Sequence, residues 1–142
     1  MARVIGIDFG AKRTGLALTD PARIIASAWE TVPSADVIEH LRKFMLKEKE
    51  AVDGFVVGLP VGLNGKATDA TPLVHAFIAE LKKAFPEQWV ETADERFTSL
   101  LAKDTLLASG KGRAQRRDKS QLDRISAAII LQGWLQQRSR TT

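Results

Sequence analysis

Three acidic residues, Asp8, Glu95 and Asp123, sit where separate elements of a folded chain could gather them. Asp8 follows the apolar, β-branched run of residues 4–7 and enters a turn bounded by Gly10 and Gly15 that also carries Lys12 and Arg13. An acid there can hold a metal ion while glycine lets the backbone approach a phosphate closely. Asp is also a common turn residue that simply bonds backbone amides. Asp94-Glu95-Arg96 closes a second strand-like run and offers a metal ligand, an orienting partner and a phosphate clamp, or else a solvated ion pair of little energetic weight. Asp123 lies at helical spacing from Ala127, Ile130 and Trp134, so its carboxylate tops an apolar stripe, where a metal or a group of donors would offset its desolvation. Ser120-Gln121-Leu122-Asp123 equally fits a capping box, with Asp123 bonding back to the helix start.

The chain has no cysteine, and His40 and His75 fall in helical stretches without a partner at ligand spacing. Any ligand set is therefore oxygen-rich and suits Mg²⁺ or Mn²⁺; two such ions roughly 4 Å apart activate water and steady the leaving oxygen in phosphodiester cleavage. Lys119, about one helical turn before Asp123, is placed to neutralise charge in such a reaction.

Positioning these groups requires a sheet with helices. Residues 4–8, 15–19 and 24–29 read as a three-stranded antiparallel meander, with Ala22-Arg23 as the second tight turn. Ser34 is the expected N-cap of an amphipathic helix carrying Val37, Ile38, Leu41, Phe44 and Met45. Residues 54–58 form a buried strand, and Thr71-Pro72 opens a helix that Pro86 stops. A fifth strand covers 89–93, and helices cover 98–109 and 120–137. The segment 110–119, with two glycines and five basic residues, reads as a surface loop. A meander followed by alternating strands and helices implies a mixed α/β sheet, with a ligand crevice beyond the carboxyl ends of its parallel strands.

A length of 142 residues fits a single domain over residues 1–138 with a short tail at 139–142. No stretch is apolar enough to span a bilayer, no cleavage signal follows the N-terminal run, and the absence of cysteine fits a reducing cytoplasm. The net charge of +4 is unevenly placed: residues 110–142 hold eight Lys/Arg against Asp118 and Asp123, or +6, leaving about −2 for the remainder. A basic surface of that kind suits contact with phosphate, although charge runs also serve solubility alone.

Four stretches in this order resemble the YqgF family: Gly6 to Gly15, Val57 to Pro60, Asp94 to Ser99, and Lys119 with Asp123 before Ala127-Ala128. The resemblance extends from Arg3 to about Gln137. It implies a ribonuclease H-like five-stranded sheet of order 3-2-1-4-5 with strand 2 antiparallel. It also implies a metal-dependent nuclease that matures pre-16S ribosomal RNA, with branched DNA as the alternative substrate and a monomer or weak homodimer as the working form. Asp8, Glu95 and Asp123 match the acidic triad, and Arg13, Arg96 and Lys119 the basic groups around it; Lys12, on the same turn as Arg13, is a further candidate phosphate contact. One departure from the wider superfamily is that the fourth strand leaves through Gly58-Leu59-Pro60 without an acid. Glu95 would then start two strands from Asp8, almost 10 Å away at ordinary strand spacing, and must lean inward.

Two rival readings remain at this level. A turn of the Asp-x-Gly type also serves as a phosphate loop in actin-like ATPases and sugar kinases, but those close two lobes around the nucleotide and this chain has length for one. A non-catalytic nucleic-acid-binding module would use the basic C-terminal region and leave the acids structural.

Overall fold

The structure, a computed structural model, describes residues 3–20, 22–47, 52–59, 71–94 and 119–141. Five strands form one sheet: β1 (Arg3–Phe9), β2 (Arg13–Thr19), β3 (Ala26–Pro33), β4 (Val52–Leu59) and β5 (Trp89–Asp94). Their order is β3-β2-β1-β4-β5, with β2 antiparallel to β1 and β3, and β4 parallel to β1 and β5. This is the mixed sheet that the sequence pattern requires. Among the described residues three α-helices cover it: α1 (Val37–Lys47), α2 (Thr71–Ala84) and α3 (Lys119–Thr141).

Strand alternation divides the core into two layers. Ile5 and Ile7 of β1, Leu16 of β2, and Phe55 and Val57 of β4 face α1 and α2, where Leu41, Val74, Phe77 and Leu81 complete one cluster. Val4, Ala17 and Val56 face the other way and pack under Ala127, Ile130, Leu131 and Trp134 of α3. Gly6 lies beneath α3, where an added Cβ would approach the Leu131 Cβ to 2.8 Å. The missing side chain is what lets the helix settle on the centre of the sheet.

Several boundaries depart from the sequence pattern. The third strand begins at Ala26, not Ile24. The Asp20 carboxylate accepts hydrogen bonds from the Ile24 and Ile25 amides, both at 2.8 Å, and Arg23 takes a left-handed φ of 61°. These amides are thus held in the turn and both isoleucine side chains remain exposed. The amide donors, Ile25 first, hold the Asp20 carboxyl below its ordinary pKa. Ser34 does not cap α1: Pro33 precedes a short 3-10 turn, and the Ser34 hydroxyl is engaged elsewhere. Finally, α3 continues through Thr141, past the end expected at Gln137. The helix expected at 98–109 and most of the loop expected at 110–119 lie outside the described residues, but Lys119, the last residue of that loop, is helical and belongs to α3.

Candidate active site on the α3 side of the sheet

Alternation along β1 places Val4, Gly6 and Asp8 on the face that α3 covers. Asp8 pairs in register with Gly15 of β2, and antiparallel partners point to the same side. On that side, a Cβ added to Gly15 would collide with the main-chain carbonyl oxygen of Asp123. Gly15 is thus the point where the first turns of α3 rest on the sheet, and the contact brings Asp123 to the strand position beside Asp8. The backbones of two of the three expected acidic residues, separated by 115 positions in the chain, are brought to neighbouring places by this one close contact.

The α3 helix supplies Asp123 as its periodicity demands: Ala127, Ile130 and Trp134 below it are all buried. Because α3 begins at Lys119, Ser120 is already inside the helix and not at its cap. The Asp123 carboxylate turns toward β2, where its Oδ2 lies 3.3 Å from Arg13 Nε. The Asp123 side chain retains 29% exposure and that of Arg13 46%, while the Oδ2 that faces Arg13 is itself buried.

The turn between β1 and β2 is fixed by residues that the sequence pattern assigns elsewhere. The Ser34 hydroxyl donates to the Gly10 carbonyl at 2.6 Å, and the Ser34 amide donates to the Lys12 carbonyl at 3.0 Å. Ser34 Oγ and Thr14 Oγ1 are 2.8 Å apart. Since a carbonyl only accepts, the Ser34 proton is committed to Gly10 and the fully buried Thr14 hydroxyl must donate to Ser34. The chain of bonds clamps both sides of the turn that presents Lys12 and Arg13, each exposed. Helix-cap chemistry made Ser34 conspicuous in the sequence, but nothing there showed that its partners lie some twenty residues upstream.

Lys119 is the first residue of α3 and therefore belongs to the same end of the molecule as Asp123. Glu95 and Arg96 follow β5 directly and lie outside the described residues. Among the described residues there is no cluster of three or more His, Asp or Glu side chains able to hold a metal. An open groove of about 380 Å³ lined by Phe9, Ser34, Ile38 and Phe77 lies on the opposite face of the sheet, away from the paired acids.

Residues 2–137 match the family model of RuvX, described as Holliday junction resolvase. The chain belongs to the RuvX family, also known as YqgF. RuvX relatives cover it end to end. A candidate pre-16S rRNA nuclease of Porphyromonas gingivalis is 41% identical over 140 residues, covering 99% of this chain and 100% of the relative. Its counterpart in Parabacteroides distasonis is 43% identical, with 97% of each covered. Among solved structures, Thermus thermophilus RuvC in complex with a Holliday junction substrate superposes with a TM-score of 0.59 at 16% identity, covering 99% of this chain and 98% of that one. The fowlpox virus resolvase with its Holliday junction gives 0.56 at 11% identity, with 96% and 98% covered. At such low identity these two likenesses establish the fold, which is that of the RuvC-like, ribonuclease H-like resolvases. RuvX is thus a family of nucleases on this fold, and the β3-β2-β1-β4-β5 sheet is its framework.

Proposed function

We propose that this RuvX protein is a cytoplasmic, metal-dependent nuclease whose substrate is structured RNA, the precursor of 16S ribosomal RNA, cut within one domain over residues 1–138. The observation that carries this reading is the meeting of Asp8 and Asp123 through Gly15 on one face of the sheet. Relatives described as pre-16S rRNA nucleases support this choice of substrate. Two carboxylates without nitrogen or sulfur donors fit Mg²⁺ or Mn²⁺ in kind. Asp8 and Asp123 would hold the ion, and Glu95, the residue after β5, would add the third carboxylate. When bound, the ion supplies charge neutralisation at the phosphate and activates water for the attack.

The remaining steps belong to the protein. Lys12 and Arg13 on the clamped turn, with Lys119 at the start of α3 and Arg96 after Glu95, would grip non-bridging phosphate oxygens and hold the phosphodiester over the acids. Hydrolysis then forms one phosphorus–oxygen bond from water and breaks the one to the leaving oxygen. The cations steady the charge that builds up between them. A monomer or a weak homodimer suffices for cutting one RNA strand.

The test is cleavage of labelled precursor 16S RNA and of a four-way DNA junction with Mg²⁺ or Mn²⁺, with chelator, and with the Asp8→Asn protein. We expect metal-dependent cutting of the RNA that falls at least about 100-fold in Asp8→Asn, with unchanged or slightly raised thermal stability because two neighbouring carboxylates repel until metal binds. Cutting of the junction in preference to RNA would assign the branched-DNA alternative. A folded wild type that binds either substrate without cutting would make the protein a non-catalytic binding module.

A further inference from the structure

The contact between Arg13 and Asp123 joins a cation offered to phosphate with an acid offered to metal. The guanidinium and a metal ion each draw on the charge of the same carboxylate. A divalent ion on the Asp123 carboxylate would compete directly for the oxygen that faces Arg13 Nε and would repel the guanidinium. A phosphate would draw that guanidinium outward. We propose that Arg13 is a shared positioning residue: it occupies Asp123 until divalent metal takes that carboxylate, and the released guanidinium then meets the nucleic-acid phosphate. The proposal rests on reading Asp123 as a metal ligand.

Three features support it. The contact is made through Nε at 3.3 Å, and although Asp123 Oδ2 is itself buried, the Arg13 side chain keeps 46% exposure, so the guanidinium end can swing out into solvent. The backbone at both ends is fixed, by Ser34 and Thr14 beneath the turn and by Gly15 beneath Asp123, so that only the side chain has to move. Finally, Arg13 is at the β1–β2 turn beside Lys12, on the side from which a polymer would approach. The consequence is a reciprocal coupling: metal raises the affinity for nucleic acid, and nucleic acid raises the affinity for metal by the same factor.

Calorimetric titration of Mn²⁺ without nucleic acid tests the first half, using wild type, Arg13→Gln, Arg13→Lys and Asp123→Asn. Losing the competing partner should tighten Mn²⁺ binding about three- to fivefold in Arg13→Gln. Arg13→Lys keeps a charge without the planar fork and should tighten it less; if Arg13→Gln does not fold, an unchanged Arg13→Lys overturns the proposal. Anisotropy of a short fluorescent RNA hairpin on ice, with chelator and then with Mn²⁺, tests the second half. The gain in hairpin affinity on adding Mn²⁺ should shrink in Arg13→Gln. Equal or weaker Mn²⁺ binding by Arg13→Gln, beside an Asp123→Asn protein that has lost it, removes the exchange and leaves the metal reading standing. Undiminished Mn²⁺ binding by Asp123→Asn removes Asp123 as a ligand and the exchange with it.

Discussion

Ser34 shows how one hydroxyl can hold a reactive turn in place. Removing it in Ser34→Ala breaks the bond to Gly10 and leaves the buried Thr14 hydroxyl without its acceptor, a loss of about 1–3 kcal/mol. The greater effect should be on substrate handling, because the carbonyls of Gly10 and Lys12 both rely on this residue to set the direction of Lys12 and Arg13. We expect KM for cleavage to rise about tenfold with a smaller change in kcat. Ser34→Thr keeps the hydroxyl and should restore KM. A KM that follows stability alone, unchanged once both variants are assayed well below their melting transitions, would make Ser34 a structural residue only. Periodicity shows the residues that a helix or strand must bury, whereas this clamp is a long-range contact. The pattern around Ser34 has the composition of a helix start, and only the folded arrangement shows the hydroxyl turned back to the first turn.

At the scale of elements, the site depends on how closely α3 can approach β2. Gly15 sets that distance. In Gly15→Ala the new methyl would collide with a helical main-chain carbonyl, which cannot rotate away as a side chain can, so α3 or β2 must shift. Such overpacking costs about 1–3 kcal/mol, read as a lower thermal midpoint. Cleavage measured well below the midpoint should fall further than the unfolded fraction explains, since the shift separates Asp123 from Asp8. Full activity in a destabilised Gly15→Ala protein would show that the two acids need not be held at this spacing. Much of this layer was legible beforehand. Alternation in residues 4–8 and the spacing of Asp123 with Ala127, Ile130 and Trp134 require Asp8 at a strand end and Asp123 above a buried stripe. The β3 boundary was not legible, because the Asp20 carboxylate competes for the Ile24 and Ile25 amides that apolar content would place in a strand. Nor was the Arg13 partner of Asp123: two charges so distant in sequence leave no periodic signal.

For the whole molecule the question is which charges meet the nucleic acid. A net charge of +4 is modest, but Lys12, Arg13, Lys119 and Arg124 all belong to the segments that meet where α3 rests on β2. Polyelectrolyte binding counts the phosphates that are neutralised, not the net charge of the protein. Binding of RNA and of a four-way junction, measured with chelator so that nothing is cut, should therefore weaken linearly on a plot of log affinity against log salt. Lys12→Ala should lower the slope by about 0.9 for a duplex and about 0.7 for a single strand, and should do so for either nucleic acid, because a phosphate contact carries no sequence information. Asp8→Asn should leave the slope unchanged and affinity equal or higher, since removing a carboxylate takes repulsion away from the same surface. If Lys12→Ala leaves the slope untouched while a substitution at Arg124 lowers it, the polymer runs along α3 and not over the β1–β2 turn, and the acids are then reached from the helix side.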